Sequence, residues 1–160
     1  GHNLIRLARR RPDLHLIGVD ASLAMLEIAQ QKVNRQGLSQ QIALAHGYAE
    51  SYKPQLPVAA VLFPYSLSMM PSPVDALRNA AAMLEPDGAI HVVDFGDLQS
   101  WVKPLQGWVL KFLNRFEVYP QPEVIDNLKH TGYLLRKWHW GRYCYSAQLV
   151  SARQSPSGTE

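Results

Sequence analysis

The sequence predicts an α/β fold with a largely parallel sheet that ends in an antiparallel pair of strands. Short apolar runs alternate with segments of helical periodicity as far as Phe95. Capping or helix-breaking residues bound the helical segments. Near the C-terminus, the strand-like runs YLLRKWHW and RYCYSAQLV flank Gly141, which is typical of a hairpin.

The first part of the chain predicts helix, strand, helix and strand in turn. His2 to Arg11 carries apolar residues on one side, which favours a helix. Leu14 to Asp20 is an apolar run too short for a typical helix and is predicted as a buried strand. Ser22 is a candidate N-cap and Gly37 a candidate C-terminal cap of the helix that follows. Ile42 to His46 is the next predicted strand.

The middle of the chain continues this alternation. Val58 to Phe63 is predicted as a strand, and Pro73 to Leu84 as a helix with proline at the favoured first position. Glu85 to Gly88 predicts a turn, and Ala89 to Phe95 another strand. Glu123 to Lys129 predicts the last helix.

Size and composition indicate one globular domain, which we place at residues 1–152, with a disordered tail at 153–160. Of the 160 residues, 47% are hydrophobic and 18% charged, an ordinary globular balance. The net charge of +3 comes partly from Arg9 to Arg11, at the end of a predicted helix where cations are favourable. No aromatic and basic ladder accompanies it, so we expect no nucleic-acid partner.

Several other classes are disfavoured. Six histidines are scattered without CxxC or HExxH spacing, so we expect no metal. The single cysteine, Cys144, indicates a reducing compartment, and we expect a cytoplasmic protein. No apolar run approaches the ~20 residues of a membrane-spanning helix, and no signal peptide is evident.

Asp20 is the first candidate functional residue, because it ends a predicted parallel strand. Ligands of open α/β sheets bind beside the carboxyl ends of the strands. A carboxylate there can accept hydrogen bonds from two adjacent ribose hydroxyls. The alternative is that Asp20 only caps the following helix.

The segment GVDASLAMLEIAQQK resembles the region after the glycine-rich loop of class I S-adenosylmethionine-dependent methyltransferases. Gly1 would be the last glycine of that loop, and Asp20, about twenty residues on, the acid that binds the ribose. The resemblance implies that Gly1, Asp20, Ala21 and Met25 contact S-adenosylmethionine. It also implies that the first strand and most of the loop precede Gly1, so we expect an N-terminally truncated domain.

The resemblance extends to the adenine side of the cofactor and to the later strands. AHGYAES lies where the family often has GDAE, which implies adenine contacts by Gly47, Tyr48, Ala49 and Glu50. Tyr48 replaces the usual acid; its ring would pack on the adenine, or the backbone of Ala49 would read it. Phe63 is expected to be a further cofactor contact, and MLEPDGAIHVVDFGD is similar to the family's LKPGG turn and strand.

A nicotinamide-dependent dehydrogenase is the main alternative within this fold class. Tyr133 and Lys137 have the spacing of a catalytic pair in short-chain dehydrogenases. That pair requires a helix, whereas this segment is predicted as a strand. We therefore discount the dehydrogenase.

A narrower resemblance lies in FPYSLSMMPSPVDAL and in the later DFGD with its tryptophan-rich segment. Both are similar to methyltransferases that convert diacylglyceryl-homoserine to its trimethylated betaine lipid. The resemblance implies an amine acceptor beside Tyr65, whose ring can hold a quaternary ammonium. It implies catalytic roles for Tyr65, Ser66 and Asp94. Substrate contacts are expected from Tyr65, Ser68, Asp97 and Trp101, although this stretch is alternatively only a polar loop before a helix.

The segment Trp101 to Phe116 has aromatic and aliphatic residues at helical spacing. The helix either packs on the sheet or rests on a membrane with tryptophan at the interface. His91, inside a strand, is predicted as a core histidine. We expect an S-adenosylmethionine-dependent methyltransferase acting on a homoserine-type lipid headgroup, with peripheral membrane contact. The alternatives are an enzyme for a soluble small molecule and a non-catalytic binding domain; the sequence does not give the oligomeric state.

Overall fold

The computed structural model of the chain describes residues 1–95, 133–140 and 144–151. Two compact units divide the chain, Gly1–Tyr52 and Lys53–Glu160. The predicted features that lie outside the described residues are the helices at 101–116 and 123–129, the site residues Asp97 and Trp101, and the tail at 153–160.

The first unit contains two helices and two parallel strands. Its elements are α1 (His2–Arg10), β1 (Leu16–Asp20), α2 (Leu23–Arg35) and β2 (Ile42–His46). The two strands pair in parallel from Leu16 with Ile42 to Asp20 with His46. Their carboxyl ends are therefore level, and Asp20 and His46 lie side by side.

Helix α1 approaches strand β1 closely at Gly18. A Cβ atom on Gly18 would lie 2.4 Å from Leu4 Cδ1 and 2.9 Å from Leu44 Cδ2, both shorter than a normal contact. The absence of a side chain therefore lets α1 pack on the sheet. The core beneath it is formed by Ala8, Val33 and Ile42, surrounded by Leu4, Ile5, Leu16, Leu38 and Leu44.

Both predicted caps of α2 are confirmed. Ser22 Oγ accepts a hydrogen bond from the backbone of the first turn at 3.3 Å. At the other end Gly37 has φ +67°. Gly37 N–H donates to Asn34 O at 3.0 Å and Leu38 N–H to Val33 O at 3.1 Å. This pair of bonds is the Schellman motif, which requires the left-handed residue that glycine supplies.

The turn between α1 and β1 is closed by an exposed ion pair. Arg11 Nε donates to Asp13 Oδ1 at 2.8 Å and Arg11 Nη2 to Asp13 Oδ2 at 2.6 Å. The hydrogen bond from Arg11 lowers the pKa of the Asp13 carboxyl below its ordinary value. Because both groups are exposed, the pair contributes little to stability.

The second unit is a four-stranded sheet with a helix. Its described elements are β3 (Val58–Pro64), a 3₁₀ turn (Leu67–Met69), α3 (Pro73–Met83), β4 (Leu84–Phe95), β5 (Tyr133–Trp140) and β6 (Cys144–Ser151). The strand order is β3-β4-β6-β5. Strands β3 and β4 are parallel, whereas β6 runs antiparallel to both β4 and β5. The predicted antiparallel pair is confirmed, and Tyr133 and Lys137 lie in a strand.

The predicted turn at Glu85 to Gly88 is an irregularity inside β4 instead of a separate connection. Val58 pairs with Leu84 and Ala60 with Ala89, so the segment of β4 between these two pairs contains more residues than the segment of β3 that it faces. The extra residues form a bulge, which the Pro-Asp-Gly composition suits. Beyond it the strand is regular up to Phe95. The side chains of Phe63, Leu77, Ile90, Val92 and Leu149 are buried in this unit, whereas His91 is only half-buried.

Candidate functional site

Asp20 ends β1 with one carboxylate oxygen bonded to its own turn. Asp20 Oδ1 accepts a hydrogen bond from Ser22 N–H at 2.9 Å. No group in the described part of the chain donates to Oδ2, and the residue is half-buried. Asp20 therefore shapes the entry to α2 and still presents acceptor lone pairs to a ligand. The capping and ribose-binding interpretations are thus compatible.

His46 is a residue at this strand edge that the sequence analysis did not select. Its Nε2 lies 3.0 Å from Ala21 O. Because a carbonyl oxygen only accepts, Nε2 of the ring is the donor in this hydrogen bond. His46 thus ties the end of β2 to the residue after Asp20. The signal that identifies it is its register opposite Asp20 on a parallel neighbour strand.

Gly1 begins α1 in tight contact with α2. A Cβ atom on Gly1 would lie 3.0 Å from Ala29 Cβ and 3.1 Å from Ala29 Cα. Ala29 is buried, so both positions require small residues for the backbones to approach.

The segment after β2 carries the predicted adenine contacts. Gly47 N–H donates to Asp20 O at 3.1 Å, which extends the pairing of the two strands. Tyr48 O then accepts from the amides of Ser51 and Tyr52, so the chain turns at once. The Tyr48 side chain remains 59% exposed, an unusual position for an aromatic ring without a partner surface.

The remaining predicted cofactor contacts differ in exposure. Ala21 is exposed and Met25, in the first turn of α2, is 51% exposed. Ala49 and Glu50 are half-buried. Phe63, in the second unit, is buried within β3 and contributes to that unit's core. These cofactor assignments stay predictions.

In the second unit, the chain leaves β3 through a backbone conformation that is rare for a bulky residue. Tyr65 has φ +55°, in the left-handed region. Its N–H donates to Val93 O at 2.6 Å, and its phenol oxygen lies 3.4 Å from Cys144 Sγ. The side chain is 43% exposed. An accessible aromatic ring is therefore held at the carboxyl end of β3.

Asp94, near the carboxyl end of β4, is bonded to the 3₁₀ turn through both oxygens. Ser68 N–H donates to Asp94 Oδ2 at 2.9 Å, and Ser68 Oγ donates to Oδ1 at 2.8 Å. Asp94 is 1% exposed and Ser68 7%. This burial favours holding the turn over direct contact with a substrate, for Asp94 and for Ser68.

The sheet therefore brings four predicted acceptor-side residues together: Tyr65, Ser66, Ser68 and Asp94. Strands β3 and β4 are parallel neighbours, with Pro64 opposite Val93, so the residues that follow meet at one edge. Ser66 begins the 3₁₀ turn and is half-buried. Their catalytic and substrate-binding roles stay predictions, as do those of Asp97 and Trp101.

Among the residues that the structure describes, no group of three or more histidine, cysteine, aspartate or glutamate side chains is arranged to hold a metal ion. Within those same ranges, no helix is both long and apolar enough to cross a membrane.

The order of helices and strands and the parallel strand pairs define an α/β protein of the Rossmann-like type. Residues 1–88 match the family model described as methyltransferase domain. That match covers more than half of the chain, and the chain belongs to this family. The predicted α/β fold is confirmed by this match together with the strand pairing, which includes the antiparallel pair β5 and β6.

Solved structures share the fold at low sequence identity. An O-methyltransferase family protein from Burkholderia thailandensis superposes with a TM-score of 0.74 at 16% identity, over 93% of this chain and 47% of its own. The YcgJ protein from Bacillus subtilis gives 0.70 at 18%, over 94% and 87%.

The O-methyltransferase NcsB1 from neocarzinostatin biosynthesis, solved with S-adenosylmethionine and 2-hydroxy-5-methyl naphthoic acid, gives a TM-score of 0.73 at 18% identity, over 93% of this chain and 45% of its own. The chain thus spans about half the length of the Burkholderia protein and of NcsB1. No curated protein sequence matches it.

Proposed function

We propose that this chain forms part of an S-adenosylmethionine-dependent methyltransferase. The observation that carries the proposal is Asp20, a carboxylate at the carboxyl end of β1 whose Oδ2 accepts from no group in the described part of the chain. Membership of the methyltransferase domain family and the likeness to NcsB1, which was solved with this cofactor, support it.

The residues of the first unit suit the cofactor. The free Oδ2 of Asp20 would accept from the ribose hydroxyls, while His46 holds Ala21 in place beside it. The exposed ring of Tyr48 offers a flat apolar surface to an adenine. When bound, the cofactor would supply an electrophilic sulfonium methyl; an acceptor lone pair would bond to that methyl, the electrons of the broken carbon–sulfur bond would stay on sulfur, and the acceptor's proton would pass to water.

On the acceptor side, we propose an amino group of a homoserine-type lipid headgroup. Tyr65 presents an accessible ring at the carboxyl end of β3, and an aromatic face attracts a methylated ammonium. The resemblance of the YSLSM segment to betaine-lipid methyltransferases supports this acceptor. Membrane contact through the segment 101–116 and a cytoplasmic location belong to the same proposal.

A soluble aromatic acid is the second candidate acceptor. The likeness to NcsB1, solved with a hydroxylated naphthoic acid, favours it. An accessible tyrosine ring would stack on such a molecule as readily as it would hold a cation.

A paired experiment tests both levels of the proposal. First, S-adenosylhomocysteine is titrated calorimetrically into this chain and into a version extended upstream by the expected strand and glycine loop; absence of binding by both contradicts the methyltransferase. Second, methyl-labelled S-adenosylmethionine is supplied with either vesicles containing diacylglyceryl-homoserine or 2-hydroxy-5-methyl naphthoic acid. Label in the lipid supports the amine acceptor, whereas label only in the acid supports the second candidate. Cofactor binding with label in neither overturns both acceptors.

A further inference from the structure

The turn between β3 and α3 contains backbone strain, because a tyrosine occupies a position where glycine would be unstrained. Tyr65 has φ +55°, where the side chain of an L-residue approaches the backbone and glycine is the usual occupant. Such conformations persist only where surrounding contacts hold them, and they concentrate at functional positions. Something outside Tyr65 must therefore keep the turn closed.

The contacts that reach the turn from the neighbouring strands include the following three. Tyr65 N–H donates to Val93 O at 2.6 Å on β4. The phenol oxygen of Tyr65 lies 3.4 Å from Cys144 Sγ on β6. Ser68 donates twice to Asp94, at 2.8 and 2.9 Å. The last contact involves a charge and two donors in a buried place, so it is the strongest of the three.

We propose that Ser68 and Asp94 form a latch that keeps Tyr65 in its left-handed conformation with its phenol over Cys144. Both latch residues are then positioning residues that act through Tyr65. The assignment of Tyr65 to the methyl acceptor rests on the proposed function. The latch itself rests on the burial, the two hydrogen bonds and the positive φ.

A second serine and aspartate in the same segment provide the comparison. Ser72 Oγ donates to Asp75 Oδ2 at the start of α3, but Asp75 is exposed. Both pairs join a serine hydroxyl to an aspartate, but the Ser72 pair is exposed, includes no backbone N–H donor from the described residues, and its aspartate also accepts from Arg78 at 3.3 Å. Removing the Ser72 hydroxyl should therefore leave the Tyr65 turn closed.

The chain's only cysteine reports on the latch, because Cys144 is 6% exposed and contacts Tyr65. We would measure alkylation of Cys144 by iodoacetamide, followed by mass spectrometry of its peptide. In Ser68→Ala the rate should rise about tenfold or more, the effect of losing a hydrogen bond to a buried charge. Ser72→Ala should alkylate within about twofold of the unmodified protein. A Ser68→Ala rate no faster than that of Ser72→Ala overturns the latch.

Hydrogen exchange separates release of the turn from general loss of stability. In Ser68→Ala the amides of Tyr65 and of residue 68 should exchange faster, while those of Val92 and Leu149 keep their rates relative to global unfolding. Uniform acceleration of all four amides contradicts the proposal.

If Ser68→Ala does not fold, the unmodified protein answers the same question. Exchange of the Tyr65 amide and alkylation of the Cys144 thiol should report the same opening reaction. The free energy of that opening should depend less on urea concentration than the free energy of opening at Val92 and Leu149. If Cys144 becomes accessible to alkylation only when the whole sheet unfolds, the latch is overturned. Neither readout uses a cofactor or acceptor, so the latch and the methyltransferase proposal succeed or fail separately.

Discussion

Two aspartates at strand ends show how burial divides one residue type between two roles. Asp20 ends β1, half-buried, with one oxygen bonded to its own turn and the other open. Asp94 lies at the end of β4, 1% exposed, with both oxygens accepting from Ser68. The first can serve a ligand, whereas the second stabilises the protein's own turn. A strand-end carboxylate is therefore a site only where the following chain leaves an acceptor free.

The largest expected effect is on Asp94. Asp94→Ala leaves the N–H and hydroxyl of Ser68 buried without an acceptor, which we expect to lower the free energy of unfolding by about 3 kcal/mol. Urea denaturation measures it. Asp75→Ala, which removes an exposed serine-bonded carboxylate, is the control and should cost less than about 0.5 kcal/mol. Equal losses in the two variants would abolish the distinction between a latch and a surface contact.

For Asp20 we expect the substitution to weaken ligand binding, in contrast to the loss of stability expected at Asp94. Asp20→Ala should weaken binding of S-adenosylhomocysteine about tenfold or more, or about 1.4 kcal/mol, because the ribose loses its acceptor. Calorimetric titration measures the affinity. Asp13→Ala removes a carboxylate of the same unit that is exposed and paired with Arg11, and this variant should bind S-adenosylhomocysteine normally. An unchanged affinity in Asp20→Ala would remove Asp20 from the cofactor site.

A third comparison isolates the strain at Tyr65. Tyr65→Ala and Tyr65→Gly both remove the ring, but only glycine adopts φ +55° without steric cost. Tyr65→Gly should therefore be more stable than Tyr65→Ala by about 1 kcal/mol in urea denaturation. Equal stability would mean that the turn does not hold the left-handed conformation in solution.

The smallest effect is expected at His46. His46→Ala removes the donor to Ala21 O and should weaken S-adenosylhomocysteine binding by about threefold, since one exposed hydrogen bond is lost. His46→Gln retains an N–H donor and should recover part of the affinity. Greater loss in His46→Gln than in His46→Ala would mean that the ring does not act through this bond.

Much of the fold was predictable because local sequence patterns determine its helices and strands. The apolar runs, Ser22, Gly37 and the proline at the start of α3 determine where elements begin and end, and both predicted caps of α2 were confirmed. Gly18 was not interpreted, since its reason is the distance to Leu4 and Leu44 in space. The sequence predicted that Glu85 to Gly88 connects two elements, whereas in the structure these residues form a bulge within β4.

The candidate site divides in the same way. The sequence by itself determined that carboxylates stand near the ends of two strands and that an aromatic residue follows β3, because the position of a residue along a strand is a local property. The sequence alone did not identify His46, because the role of His46 depends on the register between β2 and β1.

Only the tertiary structure decided which carboxylate is free. The hydrogen bonds that occupy Asp94 come from Ser68, far away in sequence and adjacent only after β3 and β4 have paired. Availability for a ligand is set by solvent access and by competing internal donors, and neither is a local property of the chain.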